Sequence, residues 1–98
     1  MTIHESRQDD RLTLALEGRL DTVTSPEFIE ALNKHLPTVS TMTVDLSGLD
    51  YISSAGLRAL LIAHRSLEDR GGLTVLNPNE LVREVFEVTG FSGVLNIK

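Results

Sequence analysis

The stretch from Thr43 to Arg70 constrains this chain most, because it joins a strand-type run to a long helical pattern. Thr43-Val44-Asp45-Leu46 is β-type, Ser47-Gly48-Leu49-Asp50 reads as a short polar turn, Tyr51-Ile52 follows, and Ser53-Ser54-Ala55-Gly56-Leu57 opens the helix. Leu57, Leu60 and Leu61 fall at i, i+3 and i+4, and Leu67 returns to the same side, which makes one buried stripe. Ala59, Ile62 and Ala63 widen that stripe, so the helix is expected to pack on more than one side, with Arg58, Arg65 and Asp69 in water.

The same kind of unit recurs on either side. Ile3 to Gln8 predicts a short strand, Asp9-Asp10 a turn, and Arg11 to Glu17 a half-buried strand with Leu12, Leu14 and Leu16 on one face; Gly18-Arg19-Leu20-Asp21 ends it. A helix follows, with Phe28, Ile29, Leu32 and Leu36 as its buried stripe. Its start has two assignments: Ser25 as cap with Pro26 at the first helical position, or Thr24 as cap with Glu27 closing a capping box. Pro37 ends it. Beyond the central helix, Gly71-Gly72 is a stop signal and Leu73-Thr74-Val75-Leu76 a short buried strand. Asn77 is read as the cap of a third helix, with Leu81, Val82, Val85, Phe86 and Thr89 as its stripe, Gly90 as its end and Val94 to Ile97 as a last strand. The order β β α β α β α β predicts an α/β fold: a mixed, mostly parallel sheet of four or five strands with three helices, the first strand being the antiparallel one.

Length and charge narrow the function. The 98 residues suit one domain, residues 1–98, with one core. A net charge of −5 argues against nucleic acid as the partner. There is no cysteine, which fits a reducing compartment, and no apolar run long enough to insert in a membrane; a polar start, Met1 to Arg7, lacks a signal peptide, so a cytoplasmic location is expected.

The chemistry concentrates on Ser53 and Ser54, where a loop turns into a helix. The first backbone N–H groups of a helix lack internal acceptors, so a serine there is a natural cap, and Ser54 is read as that residue. The helix dipole favours an anion at the same point, so phosphate on that serine is welcome electrostatically. Capping and phosphorylation are compatible roles for one residue. Gly56, without a side chain, is read as leaving the backbone open to a partner.

Catalysis is tested by asking for a base. His64 stands ten residues beyond Ser54, about 15 Å up the same helix, and cannot serve. His4 and His35 are expected at the surface, no metal-ligand spacing occurs, and Gly71-Gly72 precedes a strand instead of following one, so it is no phosphate loop. Glu84 and Glu87 read as a solvated helix side. The expectation is a binding module with no enzymatic activity, cofactor or metal.

Asp45-Leu46-Ser47-Gly48-Leu49-Asp50-Tyr51-Ile52-Ser53-Ser54-Ala55-Gly56-Leu57 resembles the signature segment of STAS domains, in particular bacterial anti-sigma factor antagonists; upstream, Leu16-Glu17-Gly18-Arg19-Leu20-Asp21 resembles that family's Gly-x-Leu-Asp element. The two motifs together, in this order and at this separation, carry the resemblance, which runs over residues 8–95 and implies the STAS fold. The resemblance implies phosphorylation on Ser54, with Ser53 as the alternative, and a docking surface of Asp21, Thr24, Asp50, Ser53, Ser54, Gly56, Leu57 and Arg58. It also implies an anti-sigma factor that is itself a serine-protein kinase as partner, bound when Ser54 is free and released when it is phosphorylated, and a PP2C-type phosphatase that restores binding. Asp21, Asp45 and Asp50 are expected as an acidic rim around the serine.

Two departures matter. Many phosphorylated members carry aspartate where this chain has Ser53, and members usually run on past the last strand into one more helix, whereas this chain stops at Lys98. Loss of that helix is expected to bare apolar surface for self-association as a homodimer or for partner docking. Two other readings stay open: an unphosphorylated STAS scaffold subunit of a transport or stress-signalling complex, and a small-molecule sensor.

Overall fold

A computed structural model describes residues 1–98. Five strands form one sheet in the order β1-β2-β3-β4-β5. They are β1 (Thr2–Gln8), β2 (Arg11–Leu20), β3 (Thr41–Ile52), β4 (Gly72–Leu76) and β5 (Asn96–Ile97). Three helices, α1 (Ser25–His35), α2 (Ser54–Leu67) and α3 (Glu80–Val88), join β2 through β5 in turn. β1 runs antiparallel to β2, and every other neighbouring pair is parallel. Each crossover steps the same way along the sheet, so right-handed connections put all three helices on one face. The strand residues record this. Leu12, Leu14, Leu16, Met42, Val44, Leu46, Leu73 and Val75 are fully buried, while the alternate residues Thr13, Ala15, Thr43, Asp45 and Thr74 are only half-buried on the other face.

The turn expected at Ser47–Asp50 does not form; β3 continues through it. The reason is in the spacing of its core residues. Leu46, Leu49 and Ile52 are all buried but stand three apart, where a regular strand needs two. The pairing with β2 supplies the correction: Ala15 faces Asp45 and Glu17 faces Gly48, then Gly18 faces Leu49 and Arg19 faces Tyr51. At each shift β3 spends one extra residue, which returns its next apolar side chain to the helix side. β2 likewise runs on to Leu20, through Gly18 at φ +100°.

Helix starts are also corrected. In α3 the cap is Asn79, whose Oδ1 accepts from Val82 N–H at 2.8 Å; Asn77 stands outside the helix at φ +57°, its amide 3.4 Å from Asp45. In α1 Thr24 is the cap residue but its hydroxyl makes no capping bond, so neither expected arrangement is realised. The stripe expected on α3 is narrower: Val82 and Phe86 are buried, Val85 is half-buried, and Leu81 is 53% exposed. On α2, Leu57, Ala59, Leu60, Ala63 and Leu67 are buried, but Ile62 is exposed. The last strand is only Asn96–Ile97, preceded by a 3-10 turn at Phe91–Gly93 after Gly90 reverses the chain at φ +81°.

His35 is the largest surprise in the frame, because it is buried and not at the surface. Arg7 donates to its Nδ1 at 3.2 Å, so Nε2 carries the proton and donates to Glu5 at 3.1 Å. Arg7 also reaches the Thr38 carbonyl, and these bonds fasten the edge strand β1 to the end of α1. No helix is long and apolar enough to cross a membrane.

Candidate functional site

The site sits where the end of β2 meets the start of α2. Ser53 N–H donates to the Leu20 carbonyl at 2.9 Å, which ties the two elements at that point. Gly56 lies directly inside this seam. A Cβ there would come within 2.8 Å of both Leu20 Cγ and Ile52 Cγ1 and 3.0 Å of the Leu20 carbonyl oxygen. Gly56 is therefore buried, and its missing side chain serves the packing of α2 on β2 instead of opening the backbone to a partner. Leu57 beside it is 5% exposed and belongs to the core.

The serines divide their roles differently from the sequence reading. Ser53 is the cap, with extended backbone and a long 3.5 Å contact from Gly56 N–H to its hydroxyl. Ser54 is the first helical residue. Its side chain makes no hydrogen bond within the protein and it is exposed, so its hydroxyl is open to a visiting group. Arg58, one turn further on, is exposed and likewise unpaired.

Beside them the β2–α1 turn is held rigidly. Asp21 Oδ1 accepts from the N–H groups of Val23 and Thr24, both at 3.0 Å. The Thr24 hydroxyl accepts from Asp21 N–H at 2.9 Å and donates to the Arg19 carbonyl at 2.7 Å, which is why it is not free to cap α1. These bonds, the Thr24 N–H first, hold the Asp21 carboxyl below the usual aspartate range, with Arg19 at 3.6 Å adding to the effect. The Arg19 guanidinium also lies 4.3 Å from the centre of the Tyr51 ring. Val23, at the tip of this turn, is 85% exposed; apolar exposure on a fixed turn was not anticipated from the sequence, where Val23 looks like any loop residue.

Asp50 is exposed and has no hydrogen-bonded partner. Asp45 is not part of the rim. It alternates with buried Val44 and Leu46, so it points to the open face of the sheet, where Ser47 N–H and the Asn77 amide hold its carboxyl low. Of the three aspartates, Asp21 is the one set beside the serines, through the bond from Ser53 N–H to the adjacent Leu20 carbonyl. None of the five main surface concavities is lined by Asp21, Ser53 or Ser54.

A helix-opening serine on a mostly parallel sheet, beside an Asp-centred turn, defines the class: this chain belongs to the STAS-domain family, whose pattern, described as "Mlab, STAS domain", matches residues 3–96. Among individual proteins it is similar to the anti-sigma-B factor antagonist of Listeria monocytogenes, with 28% identity over 96% of this chain and 84% of that protein. It is also similar to BtrV of Bordetella bronchiseptica, a candidate anti-sigma factor antagonist, with 31% identity over 99% of this chain and 85% of that protein. The anti-sigma factor antagonist SpoIIAA in its unphosphorylated form has the same fold, with a TM-score of 0.85 at 22% identity over 99% of this chain and 88% of that one. Its phosphorylated form gives 0.76 at 21% identity, over 99% of this chain and 91% of that one.

Proposed function

We propose that this protein is an anti-sigma factor antagonist, acting in the cytoplasm, whose docking surface is switched by phosphorylation of Ser54. In the unmodified state Asp21, Thr24, Asp50, Ser53, Ser54 and Arg58 present that surface to an anti-sigma factor that is also a serine-protein kinase, and binding frees the sigma factor. The partner then modifies the serine. Ser54 Oγ attacks the γ-phosphorus of the kinase's ATP, the Oγ–P bond forms, the bond from the γ-phosphorus to the bridging oxygen breaks, ADP leaves and the hydroxyl proton passes to a base of the kinase. The chain contributes only the nucleophilic hydroxyl. A PP2C-type phosphatase hydrolyses the ester and restores binding.

The observation that carries this reading is the division between the serines: Ser53 occupies the cap and leaves Ser54 exposed and unbonded at the first helical position. The named functions of the similar proteins point the same way. Phosphate adds about two negative charges beside Asp21, enough to oppose an acidic partner surface without refolding the domain. A coupling of about 1–3 kcal/mol would change occupancy about 5–150-fold.

The test is incubation with the cognate kinase and ATP, followed by intact mass and a pull-down of wild type, Ser54→Ala and Ser54→Asp. One added phosphate in wild type, none in Ser54→Ala, and loss of the kinase from Ser54→Asp are expected. Equal capture by the two variants would overturn the switch. A second reading, an unphosphorylated scaffold subunit, is favoured by one feature, Ser53 at the position where many phosphorylated members of the family carry aspartate; absence of added phosphate on either serine would favour it.

A further inference from the structure

We propose that Arg58 is the intramolecular receptor for a phosphate carried on Ser54, so that modification draws the one free guanidinium of the site out of the docking surface and onto the ester. This rests on the reading of Ser54 given above.

The helix places the two residues together. Ser54 and Arg58 are i and i+4 on α2, where side chains stand on one face with Cβ atoms about 5–6 Å apart. Both are exposed and neither makes a hydrogen bond or ion pair. Ala55, Gly56 and Leu57 between them carry no polar side chain to compete. The other cations are elsewhere engaged or out of reach. Arg19 is held by Asp21 and lies against Tyr51. Arg65 stands eleven residues beyond Ser54, about 16 Å by helical rise.

Charge then decides the direction in which the phosphate turns. A guanidinium matches phosphate oxygens with paired N–H donors, and Arg58 is the one that the i, i+4 spacing sets beside Ser54. The unmodified tip offers a partner the unpaired positive charge of Arg58. After modification the same spot carries about two negative charges, partly neutralised, and its only donor fork is turned inward. Ser53 keeps capping the helix throughout, so the exchange needs no backbone movement.

The experiment uses the full chain with phosphoserine installed at position 54 during synthesis, titrated by phosphorus NMR. The free ester titrates near about 6. In the otherwise wild-type chain the midpoint is expected at least about half a unit below that of Arg58→Gln, an about three-fold difference in proton affinity, with Arg58→Lys between them. Arg65→Gln is expected to match wild type. Coincident midpoints for wild type and Arg58→Gln, or an equal change from Arg65→Gln, would overturn the assignment. Because the phosphate is placed by synthesis, this titration reads Arg58 whether or not a kinase modifies Ser54, so the two readings fail by different measurements.

Discussion

At the scale of single residues, the site is a matter of which serine does what. A cap oxygen is committed to a backbone N–H, whereas the next residue, at the first helical position, has no backbone donor within easy reach of its hydroxyl. That one-residue difference makes Ser53 the helix cap and leaves the Ser54 hydroxyl exposed and unbonded. Ser53→Ala is expected to cost about 0.5 kcal/mol, the low end for a lost cap because the contact is a long 3.5 Å, measured by urea unfolding. The same variant is expected to leave kinase-dependent phosphate uptake on Ser54 intact, read by intact mass. Loss of uptake in Ser53→Ala without loss of helix would instead place the modified hydroxyl on Ser53.

At the scale of elements, the position of α2 depends on a contact no polar group makes. Gly56 lets the first turn of α2 settle against Leu20 and Ile52. Replacing it with alanine pits two effects against each other. Helix propensity gains about 1 kcal/mol. The added methyl lies 2.8 Å from two side-chain carbons and 3.0 Å from a carbonyl oxygen fixed in the sheet, and overpacking of this kind costs about 1–3 kcal/mol. The carbonyl cannot yield without moving β2, so strain is expected to win: Gly56→Ala should lower the unfolding midpoint and speed amide hydrogen exchange at Ser53, whose N–H bonds the same Leu20 carbonyl. An unchanged or raised midpoint would show that the seam is looser than its distances imply.

For the whole molecule, acid should loosen three fastenings in different places. Glu5 is held low by the His35 hydrogen bond first, then by Lys34, and joins β1 to α1. Asp21 is held low by the Thr24 N–H in the site turn, and Asp45 by the Ser47 N–H on the open face. Each carboxyl has a folded pKa below its ordinary value, so each adds stability above that value, 4.5 for Glu5 and 3.8 for the aspartates. That contribution is lost as pH falls from there through the folded pKa values. Urea midpoints are expected to be level well above these values and to drop below about pH 4, with a shallower drop in Glu5→Gln. A midpoint that rises on acidification would reverse the sign argued here.

Much of this was readable from residues alone. The order of strands and helices, the stripe on α2 and the leucine face of β2 follow from periodicity, because burial on one side forces a period of two or 3.6 on any sequence that folds this way. The serine pair, and Asp21 as its neighbour, were legible for a similar reason: a strand feeding a helix gathers its ends at one edge of the sheet. What periodicity could not resolve were choices between adjacent residues and contacts across the sheet. Which serine caps α2, and that Asn79 and not Asn77 caps α3, depends on where the backbone bends by one residue. That β3 runs through Ser47–Asp50 depends on its register with β2. His35 reads as a surface residue until β1 brings Glu5 and Arg7 to it, and Gly56 reads as an opening until Leu20 arrives beside it. Local pattern is set by neighbours along the chain, so sequence carries it; these partners lie 28 (Arg7 to His35) to 36 (Leu20 to Gly56) residues away, and only the closed sheet brings them into contact.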